Sequence, residues 1–100
     1  GAMVATTVPR TRGEKSIVAD NELAAEMIRF LESEQDRTGA TDTEFAESLG
    51  IHRSYWRAVK DKDSRWKPGP SFLNGVRAAY PEWSDRIRAM IRPEIAALLG

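Results

Sequence analysis

The fifteen residues from Phe45 to Val59, FAESLGIHRSYWRAV, constrain the fold of this 100-residue chain more than any other stretch. Just before them, Thr41 and Glu44 make a T-x-x-E capping box, which predicts a helix starting at Asp42. Gly50 ends that helix after Leu49, because glycine takes a left-handed backbone with no steric penalty. Ile51 follows the turn, and a second helix is expected from His52 or Arg53. Ala46 lies four residues before Gly50, where the two helices approach most closely, and a larger side chain there would hold them apart.

The second helix has two unlike sides. At the helical repeat, Ile51, Tyr55, Trp56 and Val59 share one side, and Phe45 and Leu49 of the first helix supply apolar surface to pack against it. Arg53, Ser54 and Arg57 share the other side. A helix with a buried back and two arginines at i and i+4 on its front suits insertion into a DNA major groove.

This stretch resembles the helix-turn-helix of the lambda-repressor-like family of phage and bacterial regulators. The matching pattern runs from Thr41 to Val59, and Pro70-Ser71-Phe72-Leu73 echoes the step that opens the family's next helix. The resemblance spans Asp20 to Tyr80 and implies a small helical DNA-binding domain. The chain departs from the family pattern in four places. His52 stands where Ser or Thr commonly caps the recognition helix, and Trp56 replaces a smaller aliphatic residue. Asp42 stands where the family often has a Gln that touches phosphate, and a carboxylate there would repel phosphate. The link from the second helix to Pro70 is also longer than usual.

Composition sets the outer bounds. The length suits one domain, and 41% hydrophobic with 30% charged residues fits a globular chain. With no Cys there is no disulfide framework and no thiolate metal site, which is compatible with a reducing cytoplasm. No apolar run approaches a membrane span. Net charge is zero, which by itself points away from nucleic acid. Its distribution points back. Asp20 to Gly50 carries nine acidic and two basic residues, whereas Ile51 to Lys67 carries six basic and two acidic ones. The basic block begins at the second helix.

In chain order, Gly1-Ala2-Met3 reads as the scar of a cleaved tag. Residues 1–17 are expected to be a disordered arm, because Val4 to Lys15 has no hydrophobic periodicity. The domain then occupies residues 18–100. A first helix is expected from Asn21 to about Glu34, capped by Asp20, with Leu23, Met27, Phe30 and Leu31 as its core stripe. Gln35 to Ala40 should be a turn. After the second helix of the motif, Asp61 to Gly69 reads as a polar loop in which Trp66 covers the core or lies near the DNA backbone. Ser71 should cap a helix from Phe72 to about Tyr80, lined inside by Phe72, Val76 and Ala79. A fifth helix is expected from Pro81, with Trp83, Ile87, Met90 and Ile91 as its stripe and a kink or interruption at Pro93. The expected fold class is therefore all-α, with five helices, a central helix-turn-helix and a flexible N-terminal arm.

Catalysis finds little support. There is one His, no Cys and no Gly-rich phosphate loop, and His52 has no metal-ligand partner at helical spacing. No enzyme activity, cofactor, metal or small-molecule ligand is expected. The leading expectation is a sequence-specific DNA-binding regulator of repressor type, of phage or prophage origin as the resemblance implies, acting in the bacterial cytoplasm at the nucleoid. Helix Arg53–Lys60 would enter the major groove, with Arg53 and Arg57 on base edges and Ser54 on a base or phosphate. Lys60, Lys62, Arg65 and Lys67 would hold phosphates, and His52 at the helix start completes the contact set. The expected partners are double-stranded DNA and a second copy of the chain. The apolar series Ile87, Met90, Ile91, Ile95, Leu98 and Leu99 would join the dimer, or alternatively close the monomer core. Two other readings are a protein-interaction module of the same fold (an antitoxin or antirepressor component) and a DNA-packaging or recombination accessory protein.

Overall fold

The computed structural model describes residues 16–61 and 67–95. They form an all-α fold of five helices and one 3-10 turn: α1 (Asn21–Thr38), α2 (Asp42–Ser48), α3 (Arg53–Lys60), α4 (Pro70–Ala79), the turn Pro81–Trp83, and α5 (Ser84–Met90). None of the described helices is long and apolar enough to cross a membrane.

Local rules set most helix ends. Asp20 caps α1 by accepting a hydrogen bond from the Leu23 amide, as expected. The helix continues to Thr38, four residues past the expected end, because the apolar stripe stops at Leu31 while the backbone ladder runs on to Gly39. Gly39, at φ 72°, takes the left-handed conformation that closes it. Thr41 and Glu44 form the full capping box at the start of α2. Its other end is a Schellman turn, in which the Ile51 amide donates to Ala46 O and the Gly50 amide to Glu47 O, each at 3.0 Å. Gly50 has φ 72°.

The core is one aromatic-rich cluster. Tyr55 and Trp56 of α3 and Phe72 of α4 are fully buried, and the Trp56 ring lies against Phe45 of α2 and Phe72. From α1 the buried side chains are Ala24, Met27 and Leu31, whereas Leu23 and Phe30 only flank the core. Phe30 instead packs edge-on against Tyr80 and beside Trp83, at centroid distances of 5.1 and 5.3 Å. In α4 the inner residues are Phe72, Leu73 and Val76, and Ala79 is exposed, which corrects the expected face. The helix also starts earlier than expected. Gly69 occupies the cap position and Pro70 the first turn, so Ser71 lies inside the helix. Proline suits that position, where its missing N–H removes no helical bond.

The chain ends pack differently from the sequence expectation. The sequence reading assigns residues 1–17 to a disordered arm, yet Ile17 is buried and Ser16 is tied down through its hydroxyl, which donates to Pro68 O at 3.1 Å. Val18 makes a short antiparallel bridge with Ile91. The Ala19 and Asp20 amides donate to Met90 O at 2.7 and 2.9 Å, and the Arg92 amide donates to Ile17 O at 3.1 Å. At its other end, the fifth helix is preceded by a separate 3-10 turn at Pro81–Trp83 and stops at Met90, with Ile91 extended. The expected kink or interruption at Pro93 takes the form of a break at Ile91 and Arg92, where the backbone meets residues 17–20, and helical backbone resumes over residues 93–95. Ile87, Met90 and Ile91 are buried within the monomer, which corrects their assignment to a dimer interface. Ile95 is partly buried against the same core. The expectations for residues 1–15, for Trp66 and for Leu98 and Leu99 lie outside the described residues.

Candidate functional site

The outer face of α3 is built from its N-terminus. His52 has extended backbone and serves as the cap, its Nδ1 accepting from the Ser54 amide at 3.1 Å. His52 thereby satisfies an orphan donor of the helix, as a Ser or Thr cap would. The same Nδ1 lies 2.8 Å from the Ser54 hydroxyl, which holds Ser54, itself half-buried, in a local pair with His52. Arg53 and Arg57 are exposed on this face, while Tyr55 and Trp56 point into the core. The division between an apolar back and a polar front expected from the sequence is present.

A polar cluster behind that front was not expected. Asp42, the first residue of α2, sits between α1 and α3. Its Oδ1 accepts from Lys60 Nζ at 2.6 Å and from Gln35 Nε2 at 2.8 Å, and its Oδ2 accepts from Arg57 Nε at 3.2 Å. Gln35 anchors the cluster to the core. Its Oε1 accepts from the Trp56 indole N–H at 3.0 Å and from Lys60 Nζ at 3.2 Å, and its Nε2 also donates to Ala40 O at 3.2 Å. Both amide hydrogens and both oxygen lone pairs of Gln35 are therefore used. The Lys60 ammonium also lies 5.1 Å from the Trp56 ring centroid.

These contacts set the electrostatics. The hydrogen bond from Lys60, then those from Gln35 and Arg57, hold the Asp42 carboxyl well below the usual carboxylate range, against the opposing effect of partial burial. Asp42 stays ionised throughout the physiological range. Its two cations differ in freedom. The Lys60 side chain is 23% exposed and turned toward Asp42 and Gln35, whereas that of Arg57 is 60% exposed. Lys60 is thus committed inward, and Arg57 is held at one edge only.

The remaining expected contacts divide by location. Lys67 is exposed beside the start of α4, while Lys62 and Arg65 lie outside the described residues. His52, Arg53, Ser54 and Arg57 share one end and one face of α3. Sequence reasoning missed Gln35, which it placed in a turn, and treated Asp42 only as a repulsive substitution. No local signal links Asp42 to residues 15 and 18 positions later in the chain.

A groove of about 420 Å³ runs between α1 and the end of α3, lined by Ala25, Ile28, Arg29, Glu32, Val59 and Lys67 among others. Among the described residues, no group of three or more His, Asp or Glu side chains is placed to hold a metal ion. No protein-family model, curated protein or solved structure matches this chain.

Proposed function

We propose that this protein is a sequence-specific DNA-binding regulator that places the exposed front of α3 in the major groove. The observation that carries the reading is the two-sided construction of α3. Its back is locked by Tyr55 and Trp56, and its front presents Arg53 and Arg57 one helical turn apart, with His52 and Ser54 at the N-terminal end. Arginine guanidinium groups match guanine O6 and N7 in the major groove. The Schellman turn at Gly50 fixes the angle at which α3 leaves α2. The resemblance of residues 41–59 to the lambda-repressor-like helix-turn-helix supports the same reading, and with it a cytoplasmic, nucleoid-associated location.

One α3 reads only a few base pairs, so finding an operator calls for two copies on a two-fold site. With Ile87, Met90 and Ile91 used in the core, the second copy would meet another surface.

Selection of bound fragments from a random DNA library, followed by competition against unselected DNA, tests the proposal. An enriched site that resists competition supports it, and binding without enrichment favours a DNA-packaging or recombination accessory role. A second reading, a protein-interaction module of the same fold, rests on Asp42 already pairing with Arg57 and Lys60 within the chain and offsetting one of their two positive charges. Absence of DNA binding at low salt would favour it.

A further inference from the structure

We infer that Asp42 is a positioning residue for base recognition, one that holds the Arg57 guanidinium so that only its end-on edge is free to read a guanine. The inference rests on the DNA-binding reading above and deepens it at one residue.

A guanidinium carries five N–H donors in a rigid plane and can offer guanine two different pairs. One pair is Nε with its neighbouring Nη, a side-on approach. The other is Nη1 with Nη2, an end-on approach. In this chain Nε already donates to Asp42 Oδ2, and among the described residues no other acceptor takes a hydrogen bond from Arg57. The side-on pair is spent, and the end-on pair remains, on a side chain that is mostly exposed.

Asp42 can hold that geometry because it is itself held. Its other oxygen is fixed by Gln35 Nε2 and Lys60 Nζ, and Gln35 is fixed in turn by the buried Trp56 indole and by Ala40 O. The line of contacts therefore runs from the core through Gln35 and Asp42 to Arg57. A long side chain fixed in this way meets its base already oriented, which favours discrimination between bases. The same carboxylate repels phosphate, so Asp42 lowers affinity for DNA of any sequence. Lys60, paired with Asp42 in the free protein, offsets part of that repulsion.

This combination gives a signature that a merely structural role would not produce. Removing Asp42 should raise sequence-independent affinity while reducing preference for guanine at one position. The experiment selects a site with the wild-type chain and then measures binding to that site and to versions with each guanine replaced. It is repeated for Asp42→Ala, Arg57→Ala and the double variant, with helix content checked for each. Asp42→Ala should reduce discrimination at the Arg57 guanine by about tenfold. In the Arg57→Ala background it should change that discrimination no further. If Asp42→Ala does not fold, Asp42→Asn replaces it, since the amide keeps the size and loses the charge. It should lower the same preference by several-fold.

If the wild-type chain selects no sequence, the DNA reading and this inference both fall. If it selects a site and Asp42 variants keep full guanine preference while Arg57→Ala loses it, only this inference falls. An equal loss from Asp42→Ala with Arg57 present or absent would also overturn it, by showing that Asp42 acts through the seating of α2 on α3.

Discussion

Gly69 donates its backbone N–H to the hydroxyl of Tyr55 at 2.6 Å, a buried bond that ties the start of α4 to the back of α3. Gly69 is the cap residue of α4 and has no side chain with which to cap it. Tyr55→Phe removes the acceptor and leaves that N–H in the core. The expected loss is about 1–3 kcal/mol of folding stability. Urea denaturation of wild type and variant checks it, and an unchanged midpoint would mean that the Gly69 N–H finds another acceptor.

Gly75 is set by a close approach. It lies in α4 against the end of α2, and a Cβ built on it would overlap the backbone carbonyl oxygen of Leu49. Backbone cannot swing aside as a side chain can. Gly75→Ala should therefore destabilise the fold by about 1–3 kcal/mol or more, although alanine is the better helix former. Thermal unfolding followed by circular dichroism reads the effect, and a rise in midpoint would show that α4 has room to move outward.

On the proposed DNA-binding reading, changes at the two front arginines should separate recognition from folding. Arg53→Ala and Arg57→Ala are each expected to weaken binding to a selected site by about 1–3 kcal/mol and to relax base preference, with helix content unchanged. Both side chains are exposed, so neither change opens the core. A variant that keeps full affinity and preference removes that arginine from the readout.

Lys67 should behave differently. It is exposed next to the buried Pro68 and Gly69, outside the front of α3. Lys67→Ala is expected to weaken binding equally for all sequences and to lower the slope of log affinity against log salt by about one unit. Titration at several salt concentrations measures it. A shifted base preference with an unchanged slope would place Lys67 on a base instead.

The Asp42 cluster predicts a pH dependence of stability. The carboxyl titrates lower in the folded chain than in the unfolded one, because Lys60, Gln35 and Arg57 favour its charged form. Such a group contributes stability that is fully present above the unfolded value, about 3.9 for Asp, and that is lost as pH falls toward the folded value. Asp42→Asn should therefore destabilise most at neutral pH, with the gap to wild type closing below about pH 4. Denaturation curves at a series of pH values give the comparison, and a constant gap would assign the loss to packing rather than charge.

Much of the α2–α3 unit was legible in the sequence. The Thr41–Glu44 capping box, the left-handed turn at Gly50, the small Ala46 and the inward pair Tyr55 and Trp56 all stand where residue order alone placed them. Each depends on hydrogen bonds or side-chain spacing within about six residues, where backbone geometry leaves few choices. The Gly39 end of α1 had the same kind of signal, but it was masked because the apolar stripe ends at Leu31, well before the helix does.

Tertiary structure alone decided what those elements meet. An apolar stripe states that Ile87, Met90 and Ile91 must be buried, and says nothing of whether the cover is the same chain or another. Here the cover is intrachain: Ile87, Met90 and Ile91 are buried within the chain, and Met90 O and Ile91 are bound by residues 18–20, seventy or more positions earlier. Likewise the sequence lists Asp42, Arg57 and Lys60 as charges of known sign, but their pairing requires Gln35 to be carried past its expected turn and fixed by Trp56. Spacing rules reach one or two helical turns, and beyond that the partner of a side chain is set by how the helices pack.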